Sequence, residues 1–168
     1  MGICTEEFRQ FVVRPTLEQL GHWSLAAENL LIGTAAKESG LGFHLTGKQS
    51  RGLGIYQIRP RIHRSIWDNF LVNHPTLASK IRGLASQHEF LCHPHAELAT
   101  NLSYATAIAW MVYYRHGKNL PEATDLESLA TYWQRYYQRP YGQRKHLQGA
   151  HQSFMASYQS HQPQVSAA

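Results

Sequence analysis

Cysteine is nearly absent from this 168-residue chain: Cys4 and Cys92 are its only two. No disulfide framework is available, so the fold has to rest on a core; one bridge between the two is compatible with the sequence but not required, and two free thiols are expected. Long apolar runs are missing too, and none approaches the roughly 20 residues of a membrane span. The start, Met1 to Phe8, lacks the basic end and apolar stretch of a secretory signal. Glu6 stands where a myristoylation pattern has Ser or Thr. The chain is therefore expected to be made in the cytosol and carried elsewhere only by something else. Charged residues are sparse at 16%, and no nucleic-acid-binding motif occurs.

What is present is material for burial. The chain is 43% apolar, with four Trp, nine Tyr and six Phe, which excludes global disorder and suits one sizeable core. Sixteen Lys and Arg against eleven Asp and Glu give a net charge of +5. That surplus favours a polyanionic or mixed polar partner and leaves nucleic acid, wall polymer and membrane surface all open.

Spacing predicts a mainly helical chain. Thr16, three residues before Gln19, reads as a capping box. Leu17, Leu20, Trp23, Ala27, Leu30 and Thr34 then mark one long amphipathic helix, ended by Ser39-Gly40-Leu41-Gly42. Gly42 to Pro60 is glycine-punctuated around the β-prone Ile55-Tyr56-Gln57-Ile58, so a small hairpin or irregular wing is expected there. Further helices are expected after Pro60 (Ile62, Ile66, Phe70) and after Pro75 (Leu77, Ile81, Leu84). A long central one runs from Leu98 through Val112 to a stop at Gly117. Another follows Asp125 (Leu126, Leu129, Trp133, Tyr136), and a last one carries Leu147, Ala150, Phe154 and Tyr158. No repeat or linker appears, so residues 1–159 read as one domain and 160–168 as a polar tail.

Glu38 needs explaining, because it continues the core-facing stripe of its helix, four residues after Thr34 and seven after Leu31. Burial disfavours the charged carboxylate and raises its pKa, as a general acid for glycosidic oxygen requires. The plainer alternative is a solvated glutamate in a last turn beside ordinary glycine turns.

Lys37-Glu38-Ser39-Gly40 followed by Gly54-Ile55-Tyr56-Gln57-Ile58-Arg59-Pro60 resembles the pattern of soluble lytic transglycosylases and goose-type lysozymes. Asn101-Leu102 with Tyr104, and Leu129-Ala130-Thr131-Tyr132-Trp133, are similar to later blocks of that family. The likeness covers about Leu30 to Tyr137. It implies a lysozyme-like helical fold and cleavage of β-1,4 bonds in peptidoglycan without metal or cofactor. By position it makes Glu38 the general acid and then base, and Tyr132 the tyrosine near the acid. Ser39 would orient the acid, and Tyr56, Gln57, Ile58 and Asn101 would belong to the glycan groove. In the transglycosylase version the substrate's own N-acetyl group takes the place of a second carboxyl. Three departures stand out: Ser50 is out of register with the family's serine, Trp133 replaces the asparagine of Tyr-Asn, and the usual Asn-x-Gly is missing. Tyr132 to Tyr137 with Pro140-Tyr141-Gly142 looks like phage-encoded, virion-associated members, which implies a virion location and tail or other virion proteins as partners. The alternative is a phage structural or ejection protein with the same fold and little activity.

Other candidates carry ordinary readings beside the sharper ones. His93-Pro94-His95, with His88 nearby, has no partner at a recognised zinc spacing, and solvated histidines are expected. Asp68 is the best second carboxylate for an inverting hydrolase, yet its helical register puts it outward. Tyr113, Tyr114, Tyr132, Trp133, Tyr136 and Tyr137 read as core plus rim or as sugar-stacking rings. Arg135, Arg139, Arg144 and Lys145 read as a solvated basic face or as a contact for DNA or a virion neighbour.

Overall fold

The computed structural model describes residues 2–46, 51–138 and 149–162. The sequence features at Gly47, Ser50, residues 139–147 and the last six residues lie outside this set.

The chain is mainly helical. The first helix starts far earlier than Thr16. α1 (Thr5–Phe8) runs through a π-helical stretch, Arg9–Val13, into α2 (Arg14–Leu20). Pro15 lacks an N–H and crowds the turn before it, and the widened π turn accommodates it without breaking the helix. Thr16 is thus buried inside a helix rather than capping one. Gly21 ends α2 in the left-handed region at φ 79°, and Ser24, whose Oγ accepts from Ala27 N at 3.1 Å, starts α3 (Leu25–Ser39). The single long helix expected here is two. Trp23, expected on the core stripe, lies in the link and is 46% exposed.

α4 (Pro60–Ser65) continues through a π turn, Ile66–Phe70, and a 3-10 turn, Leu71–Asn73, to α5 (Pro75–Leu84). α6 (Gln87–Cys92), capped by Ser86, was not foreseen. The expected central helix breaks at Asn101 into α7 (Glu97–Thr100) and α8 (Leu102–Tyr114). α9 (Leu126–Tyr136) begins as expected at Asp125, whose carboxylate accepts from Ser128 N at 2.9 Å. α10 (Ala150–Ser160) closes the described chain.

α3 and α8 are the centre. From Leu30 to Ala36 and from Tyr104 to Tyr113 every residue is buried, which marks helices enclosed on all sides. α9 and α10 pack on α3, and α10 sits close because residue 33 is glycine: a Cβ there would overlap the Phe154 ring. Residues 41–46 and 51–58 form an irregular wing held by single bridges, Thr46 to Leu53 and Leu53 to Ile58, with no strand among the described residues. Gly54 (φ 73°) fixes its depth, since a Cβ would strike the Leu98 carbonyl.

All four indoles find side-chain acceptors, as buried N–H groups must. Trp23 donates to Glu28 (2.8 Å), Trp67 to Tyr104 (2.9 Å), Trp110 to His22 (3.0 Å) and Trp133 to Glu38 (3.1 Å). Glu28, with no exposed surface, also accepts from Arg9 at 2.6 Å and Arg14 at 2.9 Å. Burial alone would lift this carboxyl, but Arg14, Trp23 and Arg9 together hold it down at about 2.

Candidate functional site

α3 delivers Glu38 to its last turn and then stops at once. Gly40 takes the left-handed region at φ 61°, and the N–H groups of Gly40 and Leu41 return to the carbonyls of Ala36 and Ala35. Leu41 is itself left-handed at φ 54°, as are Arg51 and Gln57. These are the only non-glycine residues with positive φ among the described ones, and all lie in the wing that follows Glu38. Such conformations are costly for side chains with a Cβ, and they gather where the surroundings over-determine the backbone.

The Glu38 residue is half-buried: enclosed by protein, yet retaining some exposure. Desolvation pushes its carboxyl up to about 7, against the Trp133 hydrogen bond and the positive charges of Lys37 and Arg59, which pull the other way. The Trp133 ring is 1% exposed and lies 5.2 Å from Phe154 at 32°. Lys37 Nζ donates to Ser153 Oγ at 2.7 Å, so α10 braces both the acid's helix and its indole partner. Burial raises the Tyr137 and Tyr113 phenols well above their usual range, and the Glu38 charge adds to both shifts. Both rings are therefore neutral neighbours. The arrangement keeps a carboxylic acid half-protonated near neutral pH, with one oxygen fixed by an indole.

Tyr132 is not the aromatic residue on the acid. Its hydroxyl donates to the Lys118 carbonyl at 3.1 Å, and the next residue, Trp133, makes the contact. Ser39 does not hydrogen-bond Glu38 either. Its Oγ donates to the Ile55 carbonyl at 2.6 Å and accepts from Gly42 N at 2.8 Å, clipping the wing to the end of α3. Tyr56, Gln57 and Ile58 are buried at 0%, 8% and 3% exposure rather than presented at a surface. The Tyr56 hydroxyl pairs with Thr106 at 3.1 Å, and its carbonyl accepts from the Tyr137 hydroxyl at 2.7 Å. Gln57 Nε2 donates to Gly54 O at 2.8 Å. Asn101 caps α8 through Tyr104 N at 3.0 Å, and its amide donates to Leu84 O and to buried Glu97, each at 2.8 Å. These residues build the wall behind Glu38 or the frame of α8. Trp133, Tyr113 and Tyr137 are the neighbours that position alone did not identify. The sequence places Trp133 on the apolar stripe of α9 and in an aromatic cluster, and an indole there needs an acceptor.

Among the described residues no three His, Cys, Asp or Glu side chains converge as a metal site, and Cys4 and Cys92 are free and exposed. His95 pairs with buried His63 (Nδ1 to Nδ1, 2.9 Å), whose Nε2 lies 2.6 Å from the Tyr104 hydroxyl. Burial pushes His63 down to about 4. Asp68 is exposed, on the rim of a cavity of about 600 Å³ with Trp67, Arg82 and Phe90. A second cavity, about 390 Å³, opens between Lys118 and α9, and Glu38 lines neither. No described helix is long and apolar enough to cross a membrane.

Removing the indole N–H isolates its effect. Trp133→Phe deletes a donor that favours the charged carboxylate, so the Glu38 pKa is expected to rise further, by about one pH unit. Carboxyl-resolved NMR titration measures this directly; an unmoved titration would mean that the hydrogen bond is not formed in solution.

Comparison with family models, curated proteins and solved structures finds no match to this chain.

Proposed function

We propose that this protein is a muralytic enzyme, a lytic transglycosylase-like component of a phage particle that opens peptidoglycan for passage of the genome. The observation that carries the reading is Glu38: a half-buried carboxyl at a strained helix end, raised to about 7 and held by the Trp133 N–H. A protonated carboxyl at neutral pH is what donation to a glycosidic oxygen demands. As the C–O bond breaks, the proton passes from Glu38 to the leaving sugar, and the substrate's N-acetyl oxygen supports the developing positive centre. The Glu38 carboxylate then takes a proton from the C6 hydroxyl, closing a 1,6-anhydro ring, or from water, giving hydrolysis. In this reading Trp133 holds the place beside the acid that the resemblance gave to Tyr132. Ser39 and the Tyr56-Gln57-Ile58 segment act as its support.

Purified peptidoglycan digested with the protein, followed by mass spectrometry of the soluble fraction, tests the proposal. Muropeptides with anhydro or reducing ends are expected, with activity falling as pH rises above about 7 and Glu38 loses its proton. No soluble fragment at any pH from acid to neutral would sink the enzymatic reading. A second reading, a virion structural or ejection protein of the same fold, is favoured by the burial of Tyr56, Gln57 and Ile58, which leaves little of that segment for sugar to touch. It expects an empty digest together with stable co-purification with particles.

A further inference from the structure

α9 serves two sides. Trp133 turns to Glu38, while Ser128, Thr131, Tyr132 and Arg135 (i, i+3, i+4 and i+7) line the cavity of about 390 Å³ opposite Lys118 and Asn119. The Tyr132 hydroxyl bonded to the Lys118 carbonyl ties the segment after α8 to the helix and forms the corner of this groove. Tyr132 and Tyr136 lie with ring centroids 4.5 Å apart, and the Arg135 guanidinium sits 5.5 Å over the Tyr136 ring. Lys118 and Arg135 form no ion pair with a carboxylate among the described residues.

Two cations without counter-charge call for an anion, and a guanidinium held on a ring is pre-oriented for a carboxylate. Tyrosine edges with an amide and two hydroxyls suit a sugar ring, which offers an apolar face and several hydroxyls. The volume lies in the range of small-ligand sites. Two cations are few for a nucleic-acid duplex, which carries a charge about every 1.7 Å.

We propose that this groove is a second binding site, for an amino sugar bearing a carboxylate, as N-acetylmuramic acid does, and that it is distinct from Glu38. The choice of ligand rests on the wall-glycan reading above; the groove itself does not require Glu38 to be catalytic.

N-acetylmuramic acid and N-acetylglucosamine share a ring and differ by the lactyl carboxylate, so the pair isolates the charge. In an NMR titration of the whole protein, N-acetylmuramic acid is expected to shift the Asn119 and Arg135 signals. It should bind about tenfold tighter than N-acetylglucosamine, with an advantage that shrinks as salt rises. Lys118→Gln combined with Arg135→Gln, both exposed positions, should erase the preference and leave the melting temperature unchanged. Glu38→Gln should bind as the wild type does. Equal binding of the two sugars, an unchanged preference in the double variant, or shifts confined to Trp133 and its neighbours would each overturn the proposal. Inorganic phosphate or a short oligonucleotide displacing the sugar at comparable concentration would overturn it in favour of a phosphate site. The two proposals fail separately: wall digestion without groove binding leaves the enzyme, and groove binding without digestion leaves a wall-binding protein.

Discussion

Replacing Glu38 by Gln is expected to lower release of wall fragments by about 10²–10⁴-fold or more while making the folded protein more stable at pH 8. The activity follows from the lost proton. The stability follows from the same environment. The carboxyl ionises at about 7 in the fold and near 4.5 in an unfolded chain. Between those values the native state keeps a proton that the unfolded state releases, so wild-type stability declines as pH rises through the interval. The full shift sets an upper bound. Because Glu38 is half-buried rather than sealed, a cost on the order of 1–3 kcal/mol at pH 8 is expected. Gln carries no charge and keeps an oxygen for the Trp133 N–H. Thermal melts should therefore show wild type and variant together near pH 4.5 and the variant ahead at pH 8. A variant weaker by the same amount at both pH values would mean that the carboxyl pays no desolvation cost, and unchanged digestion would remove Glu38 from the mechanism.

Glu28 is expected to produce the opposite result. Its carboxylate is sealed among Arg9, Arg14 and Trp23, and Glu28→Gln leaves those donors facing a neutral amide. Breaking a buried pair from one side costs about 3–5 kcal/mol, or roughly 10 °C or more in melting temperature for a chain of this size. The folded pKa of about 2 lies below the unfolded 4.5. The carboxylate's contribution is thus present above pH 4.5 and is lost as pH falls toward 2. Urea titrations at pH 7 and pH 3 check both parts: the gap between wild type and variant should be wide at pH 7 and narrower at pH 3. A gap independent of pH would show that the cost is one of shape rather than charge.

The legible parts of the sequence were those governed by one local rule. The Asp125 cap and the α9 stripe, the Pro60 and Pro75 starts and the Gly40 stop all follow from backbone chemistry within a turn or two. Glu38 was legible because periodicity carried it onto the buried face. Where two rules competed, the reading failed. A proline and a capping-box spacing put a helix start at Thr16, whereas a π turn absorbs Pro15 and the helix runs on from Thr5. Apolar spacing runs across Gly21 and Asn101, where a left-handed glycine and a side-chain cap each break the helix. Tyr56 and Gln57 are groove residues only by position in the family resemblance. The approach of Gly54 to Leu98 instead draws the segment inward, and that long-range contact has no local signature. The partnership of Trp133 with Glu38 spans 95 positions and is legible only as a requirement that the indole find an acceptor.

The acid's surroundings are drawn from both extremes of the described chain. Ile3 N donates to Leu41 O at 2.8 Å just past Glu38, Thr5 Oγ1 donates to the His161 carbonyl, and Phe154 lodges against Gly33 while backing the indole. During synthesis on the ribosome, α3 would emerge more than a hundred residues before Phe154. Until that ring arrives, the Trp133 indole that holds Glu38 lacks the packing that backs it. The environment that raises this carboxyl is thus complete only once segments more than a hundred positions apart have both been made and packed.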